Sequence, residues 1–84
     1  MIKLLYFARL REALGTPGES IELPAGVGNV KALMAWLARR GGEWQMQFDG
    51  CRQIRAALNQ ELVADDAPIK AGDEVAFFPP VTGG

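Results

Sequence analysis

The segment Asn29-Val30-Lys31-Ala32-Leu33-Met34-Ala35-Trp36-Leu37-Ala38-Arg39-Arg40 is the one long helix this sequence builds. Val30, Leu33, Met34 and Leu37 fall at i, i+3, i+4 and i+7, a single apolar stripe at the helical period. Asn29 stands where an N-cap belongs, with a side-chain oxygen for a first-turn N–H. Arg39-Arg40 followed by Gly41-Gly42 is expected to close the helix, with cations in the last turn and glycine beyond. That placement gives the arginines a structural reason to exist, which outweighs an anion site.

Working outward, the flanks read as strands. Ile2 to Ala8 alternates, with Ile2, Leu4 and Tyr6 on one face and Lys3, Leu5 and Phe7 on the other. Arg9 to Leu14 is a turn or two of helix stopped by Gly15. Glu19 to Leu23 is a second strand, ended by Pro24 and expected to pair antiparallel with the first. Beyond the long helix, Trp44 and Phe48 at i, i+4 suggest a short helix over Glu43 to Phe48. Ile54 to Leu58 and Glu61 to Ala64 form a hairpin around Asn59-Gln60, acceptable but not ideal turn residues. Asp65-Asp66 reads as a solvated turn, since metal ligands must converge from several directions. Glu74 to Phe78 is the last strand, with Val75 and Phe77 on one face and Ala76 and Phe78 on the other. One long helix covering one face of such a sheet is an α+β two-layer domain. The other face stays open, offering Phe7 and Phe78, and a patch of large apolar side chains usually marks a partner surface.

Composition excludes several function classes. The 84 residues make one domain, and 49% of them are hydrophobic, which argues against disorder. The net charge of −1 leaves nucleic-acid binding without electrostatic support. No apolar run approaches the ~20 residues of a membrane span. Met1-Ile2-Lys3 enters an alternating segment and not a signal peptide, so a cytoplasmic protein is expected. There is no histidine, which removes Ser-His-Asp and Cys-His catalysis and His-ligated metals. The single cysteine, Cys51, allows no internal disulfide; Arg52 beside it favours a thiolate, but with no general base available a structural or incidental role is preferred. No metal site and no nucleotide-binding loop is expected.

The closing stretch Phe77-Phe78-Pro79-Pro80-Val81-Thr82-Gly83-Gly84 has its own grammar. Two aromatics end a strand, and two prolines stop it, because proline has no N–H for the ladder. Val81 and Thr82 favour extended backbone. Gly83 and Gly84 carry no Cβ. Four residues past Pro80 reach about 13 Å at roughly 3.3 Å each. That is a thread thin enough for a narrow channel in another protein.

With these elements placed, the chain resembles the ubiquitin-like β-grasp sulfur carriers, and among them the family of molybdopterin synthase small subunits. The resemblance runs the whole length. It is carried by Ile2-Lys3-Leu4-Leu5-Tyr6-Phe7-Ala8-Arg9-Leu10-Arg11-Glu12, by Asn59-Gln60-Glu61-Leu62-Val63, and by Gly72-Asp73-Glu74-Val75-Ala76 leading into the closing stretch. It implies a β-grasp fold: a mixed sheet of about five strands, one main helix on one face, and residues 79–84 as an extended tail.

It also implies the chemistry. An E1-like adenylating enzyme would use ATP to convert the Gly84 carboxylate to an acyl-adenylate. Sulfur from a persulfide enzyme would replace AMP, giving a Gly84 thiocarboxylate. No cofactor would be held permanently. The large subunit of molybdopterin synthase would dock on the open face at Phe7, Arg11, Leu62 and Phe78. It would take in Pro79, Pro80, Val81, Thr82 and Gly83, with Gly84 delivering sulfur to cyclic pyranopterin monophosphate. The alternatives are a ubiquitin-like protein modifier, or a sulfur carrier for another pathway such as thiamine biosynthesis.

Overall fold

The structure, a computed structural model, describes residues 1–49 and 53–80. Five strands form one mixed sheet: β1 (Ile2–Tyr6), β2 (Gly18–Ile21), β3 (Arg55–Leu58), β4 (Glu61–Val63) and β5 (Glu74–Phe78). Their order across the sheet is β2-β1-β5-β3-β4. The central pair, β1 and β5, is parallel, with Leu4 beside Val75 and Tyr6 beside Phe77. The outer pairings are antiparallel. Three helices complete the fold: α1 (Ala8–Leu14), α2 (Val30–Ala38) and α3 (Gly42–Phe48).

The α2 stripe does what its spacing predicts. Val30, Leu33 and Leu37 are fully buried and pack against Ile2, Leu4, Val75 and Phe77 of the sheet. Met34 is only half-buried. Asn29 caps α2 by accepting the Ala32 N–H at 2.8 Å. The next free N–H groups of α2 go to the 65–68 turn: Val30 N–H donates to the Ala67 carbonyl and Lys31 N–H to that of Asp65. The Asp65-Asp66 turn therefore helps to fix the start of α2, while both residues stay exposed.

Several boundaries differ from expectation. β1 stops at Tyr6, and Phe7 becomes the N-cap of α1. Gly15 ends α1 in the left-handed region, as anticipated, at φ 74°. β2 begins at Gly18 and ends at Ile21, so Leu23 lies outside it yet packs on the core. α2 ends at Ala38, which leaves Arg39 and Arg40 beyond its last turn.

Arg40 has a different purpose from the expected one. Its guanidinium forms a bidentate bond to the Glu19 carboxylate, at 2.8 and 3.0 Å. It also lies over the rings of Trp36 and Trp44, 5.1 and 4.5 Å from their centroids. Trp44 in turn meets Tyr6 edge-on at 5.4 Å and stacks near Phe48. Phe48 meets Phe77 edge-on at 5.3 Å. The expected short helix α3 is thus pinned to the sheet by aromatic rings, a contact geometry worth about 0.5–1.5 kcal/mol per pair beyond area burial.

Candidate functional site

The register divides the open sheet face into two halves. Leu5 sits between Gly18 of β2 and Ala76 of β5. Ala76 pairs with Ala57 of β3, and Ala57 with Leu62 of β4. This row crosses all five strands without a polar side chain. The row toward the start of β1 is polar: Ser20, Lys3 and Glu74. The row toward the end of β5 pairs Phe78 with Arg55. The apolar half of the open face therefore adjoins the point where the chain leaves the sheet.

Phe7 extends that apolar half. Its backbone is still extended, at φ −124° and ψ 157°, and its N–H donates to the Phe77 carbonyl at 3.1 Å. Ala8 then adopts φ 53°, a left-handed conformation that costs an L-residue roughly 1–2 kcal/mol. The chain turns into α1 at that residue, and Phe7 is left 45% exposed. Leu62 is 65% exposed and Phe78 half-buried. Arg11 lies in the last turn of α1, exposed and in no ion pair among the described residues.

At the tail exit, β5 runs up the middle of the sheet to Phe78, and Pro79-Pro80 follows outside any ladder. Pro80 lines a recess of about 200 Å³ with Arg55, Leu62 and Phe78. Arg55 and Leu62 also line a longer groove of about 490 Å³ that runs toward Met34 and Asp65. The structure thus brings Leu62, Phe78 and Pro80 together, with Phe7 at the end of the neighbouring strand. Val81, Thr82, Gly83 and Gly84 lie outside the described residues, as does Cys51.

Two carboxylates are held ionised by the fold. Arg40 holds the Glu19 carboxyl below its ordinary range, with a smaller push from the Tyr6 hydroxyl, which donates to Glu19 Oε2 at 2.9 Å; partial burial opposes both. Tyr6 is pushed strongly upward, chiefly by burial and then by the Glu19 carboxylate it faces. Asp73 is lowered by the Lys70 N–H, at 2.9 Å, and then by Asn59 Nδ2, at 3.1 Å. Both groups tie elements together. Glu19 joins β2 to the end of α2, and Asp73 joins the start of β5 to the β3–β4 turn. Among the described residues no three metal-ligating side chains gather.

The sequence matches the ThiS family over residues 4–84. The chain belongs to the ThiS family. It is 45% identical over 84 residues to the molybdopterin synthase sulfur carrier subunit of Escherichia coli strain K12, covering all of both chains. It is 32% identical to the human protein of that name, covering 99% of this chain and 93% of the human one. Among solved structures, a putative molybdopterin converting factor subunit 1 from Pyrococcus furiosus superposes with a TM-score of 0.75 at 34% identity, covering 95% of this chain and 97% of the other. SAMP1 from Haloferax volcanii superposes equally well at 28% identity, covering 99% and 98%. These likenesses bear out the ubiquitin-like β-grasp expectation.

In this ThiS-family chain, three residues acquire roles that sequence reasoning did not assign. Arg55 forms one wall of the tail recess. Ala8 sets the exposure of Phe7. Asn59 is more than a turn former. Asn59 and Gln60 both take positive φ, 50° and 72°, as a two-residue hairpin of the primed type demands. The Asn59 side chain also accepts from Glu74 N–H at 3.0 Å and donates to Asp73. The available signal was asparagine itself, the residue other than glycine that best tolerates this region.

Proposed function

We propose that this chain is the sulfur carrier subunit of a molybdopterin synthase, working in molybdenum cofactor biosynthesis in the cytoplasm. The observation that carries the reading is the tail exit. The chain leaves the sheet at Phe78-Pro79-Pro80, beside an apolar half-face with Leu62 65% exposed and Phe7 45% exposed. Full-length relatives named for this role support it. A subunit that covers Phe7, Leu62 and Phe78 is placed to receive the tail. The structure of a complex of subunits 1 and 2 of molybdopterin-converting factor from Helicobacter pylori, 23% identical with a TM-score of 0.65, shares the fold.

The chemistry takes place at the terminus. A carboxylate is a poor electrophile, so a separate adenylating enzyme joins the Gly84 carboxylate to the α-phosphate of ATP and releases pyrophosphate. The outer sulfur of an enzyme persulfide attacks the acyl carbon and AMP leaves, giving an acyl disulfide. A second thiol of that enzyme then cleaves its S–S bond, which releases the Gly84 thiocarboxylate and leaves the enzyme as a disulfide. Gly84 then delivers sulfur to cyclic pyranopterin monophosphate within the large subunit, and two such deliveries build the dithiolene. This chain contributes the pre-extended Pro79-Pro80 approach, which lowers the entropy lost on insertion, and the docking face. Acid–base groups come from the partners.

A second reading has support of its own. The likeness to SAMP1, named in a related structure as a small archaeal modifier protein, points to a protein modifier whose activated Gly84 would join a lysine. Intact-mass measurement of the protein isolated with its sulfur-loading machinery separates the two. Replacement of one terminal oxygen by sulfur at Gly84 is the expected result. A Gly84–lysine conjugate with no thiocarboxylate would favour the modifier. Deleting Gly84 is expected to abolish sulfur transfer without unfolding the domain, and unchanged transfer would refute the terminus as the reactive group.

A further inference from the structure

Arg55 opens β3 directly across from Phe78 on the open face, two positions before Ala57, the partner of Leu62. It is exposed, and among the described residues it forms no ion pair. Asp65 lines the same groove without pairing with it. Arg55 also walls the recess that contains Pro80. A protein that receives the tail at Pro80 while covering Leu62 and Phe78 therefore has to cover Arg55 too. A guanidinium taken from water without a partner costs more than the surrounding apolar contacts return.

We infer that the second synthase subunit presents a carboxylate to Arg55, so that this residue is a specificity-determining contact at the mouth of the tail channel. The inference rests on the docking reading proposed above. Arginine suits the position: its planar fork pairs bidentately with a carboxylate, and its stem lies along apolar neighbours such as Phe78 and Leu62. The charge also discriminates. A protein with a basic or wholly apolar surface at this point would bury Arg55 unpaired and be rejected.

The test is titration calorimetry of the full chain with the second subunit from the same organism, at low and high salt. The variants are Arg55→Met, Arg55→Lys, Arg55→Glu and, as a control for the face, Leu62→Ala. Thermal unfolding of each variant monitors the fold. Arg55→Met is expected to weaken binding by about tenfold or more and to flatten its salt dependence, Arg55→Glu to weaken it further, and Arg55→Lys to fall between parent and Arg55→Met, keeping the charge but not the bidentate fork. If Arg55→Met binds within about twofold of the parent while Leu62→Ala binds weakly, the face docks but Arg55 reaches water, and the inference fails alone. If neither variant weakens binding, the docking reading fails with it. The same titrations are run against the adenylating enzyme, and a loss confined to that protein would place the carboxylate there and overturn the assignment to the second subunit.

Discussion

Replacing Tyr6 by phenylalanine removes one oxygen from a buried ring of the core and tests the clamp around Glu19. The Tyr6 residue is 1% exposed, and its hydroxyl donates to Glu19 Oε2 at 2.9 Å. Hydrogen bonds to charged groups contribute roughly 1.5–3 kcal/mol. Here the low end applies, because Glu19 keeps both bonds from Arg40 and remains partly open to water. The expected loss is about 1.5 kcal/mol near neutral pH, a fall in Tm of roughly 4–8 °C per kcal/mol for a domain of this size.

The loss should depend on pH. Glu19 has a folded-state pKa below its ordinary 4.5, so the stability it contributes is present above that value and disappears as pH falls through the folded pKa. As the carboxyl gains its proton, the bond from Tyr6 becomes a neutral one, and parent and variant should converge. On the alkaline side the parent alone has a tyrosine at this position. Its phenol is held neutral in the fold but ionises near 10.0 when unfolded. That contribution is complete below 10.0 and declines above it, and the phenylalanine variant lacks the decline. Urea unfolding between pH 3 and pH 10.5 measures both limbs. No gap at neutral pH, or a gap that widens as pH falls, would refute the clamp.

The other predictions concern the backbone and the docking face. A Cβ at Gly18 would meet the Leu4 carbonyl oxygen at 2.5 Å and Leu5 Cδ2 at 3.1 Å, so Gly18→Ala must move β2 off β1. A destabilisation of about 1–3 kcal/mol in denaturant is expected. Ala8→Gly should stabilise the fold by up to about 1 kcal/mol, because Ala8 has φ 53°, whereas glycine inside an ordinary helix costs about that much. A clear destabilisation in the same assay would contradict the left-handed start of α1. Leu62→Ala and Phe78→Ala should each cost more than about 1 kcal/mol of affinity for the second subunit by calorimetry, with Leu62→Ala leaving stability within about 0.5 kcal/mol of the parent. Equal affinity would remove the substituted residue from the interface.

What could be read from the chain beforehand follows the range of the interactions involved. α2, its Asn29 cap, the Gly15 stop and β5 are legible because stripe, cap and breaker lie within a few residues of one another. The open face is legible for the same reason, since alternation along β1 and β5 places Leu5, Ala76 and Phe78 together. The end of α2 was misplaced because Arg40 answers to Glu19, 21 positions earlier, and to the two tryptophan rings. No local rule contains that pairing. The start of β2 was misplaced because its register depends on Gly18 passing close to the Leu4 carbonyl. The parallel β1–β5 pair was not read from local pattern at all. Adjacency along the chain argues only for β1 with β2; the element order led to a mixed sheet but not to which strands run parallel. Arg55 was passed over because a lone arginine opening a strand looks like ordinary surface until its neighbours Phe78, Leu62 and Pro80 are in place.

The parallel central pair has a consequence for how the protein is made. The last strand in chain order fills the middle of the sheet, between β1 and β3. Without β5 no strand joins the β1–β2 pair to the β3–β4 pair, and each would keep an unpaired edge. Contacts between the first and last strands are also of the slowest kind to form. A chain interrupted before Glu74 cannot complete the sheet, so it forms neither the continuous apolar half-face nor the recess at Pro80. The molecules that acquire the continuous apolar half-face are therefore those already extended as far as β5 and the prolines that follow it.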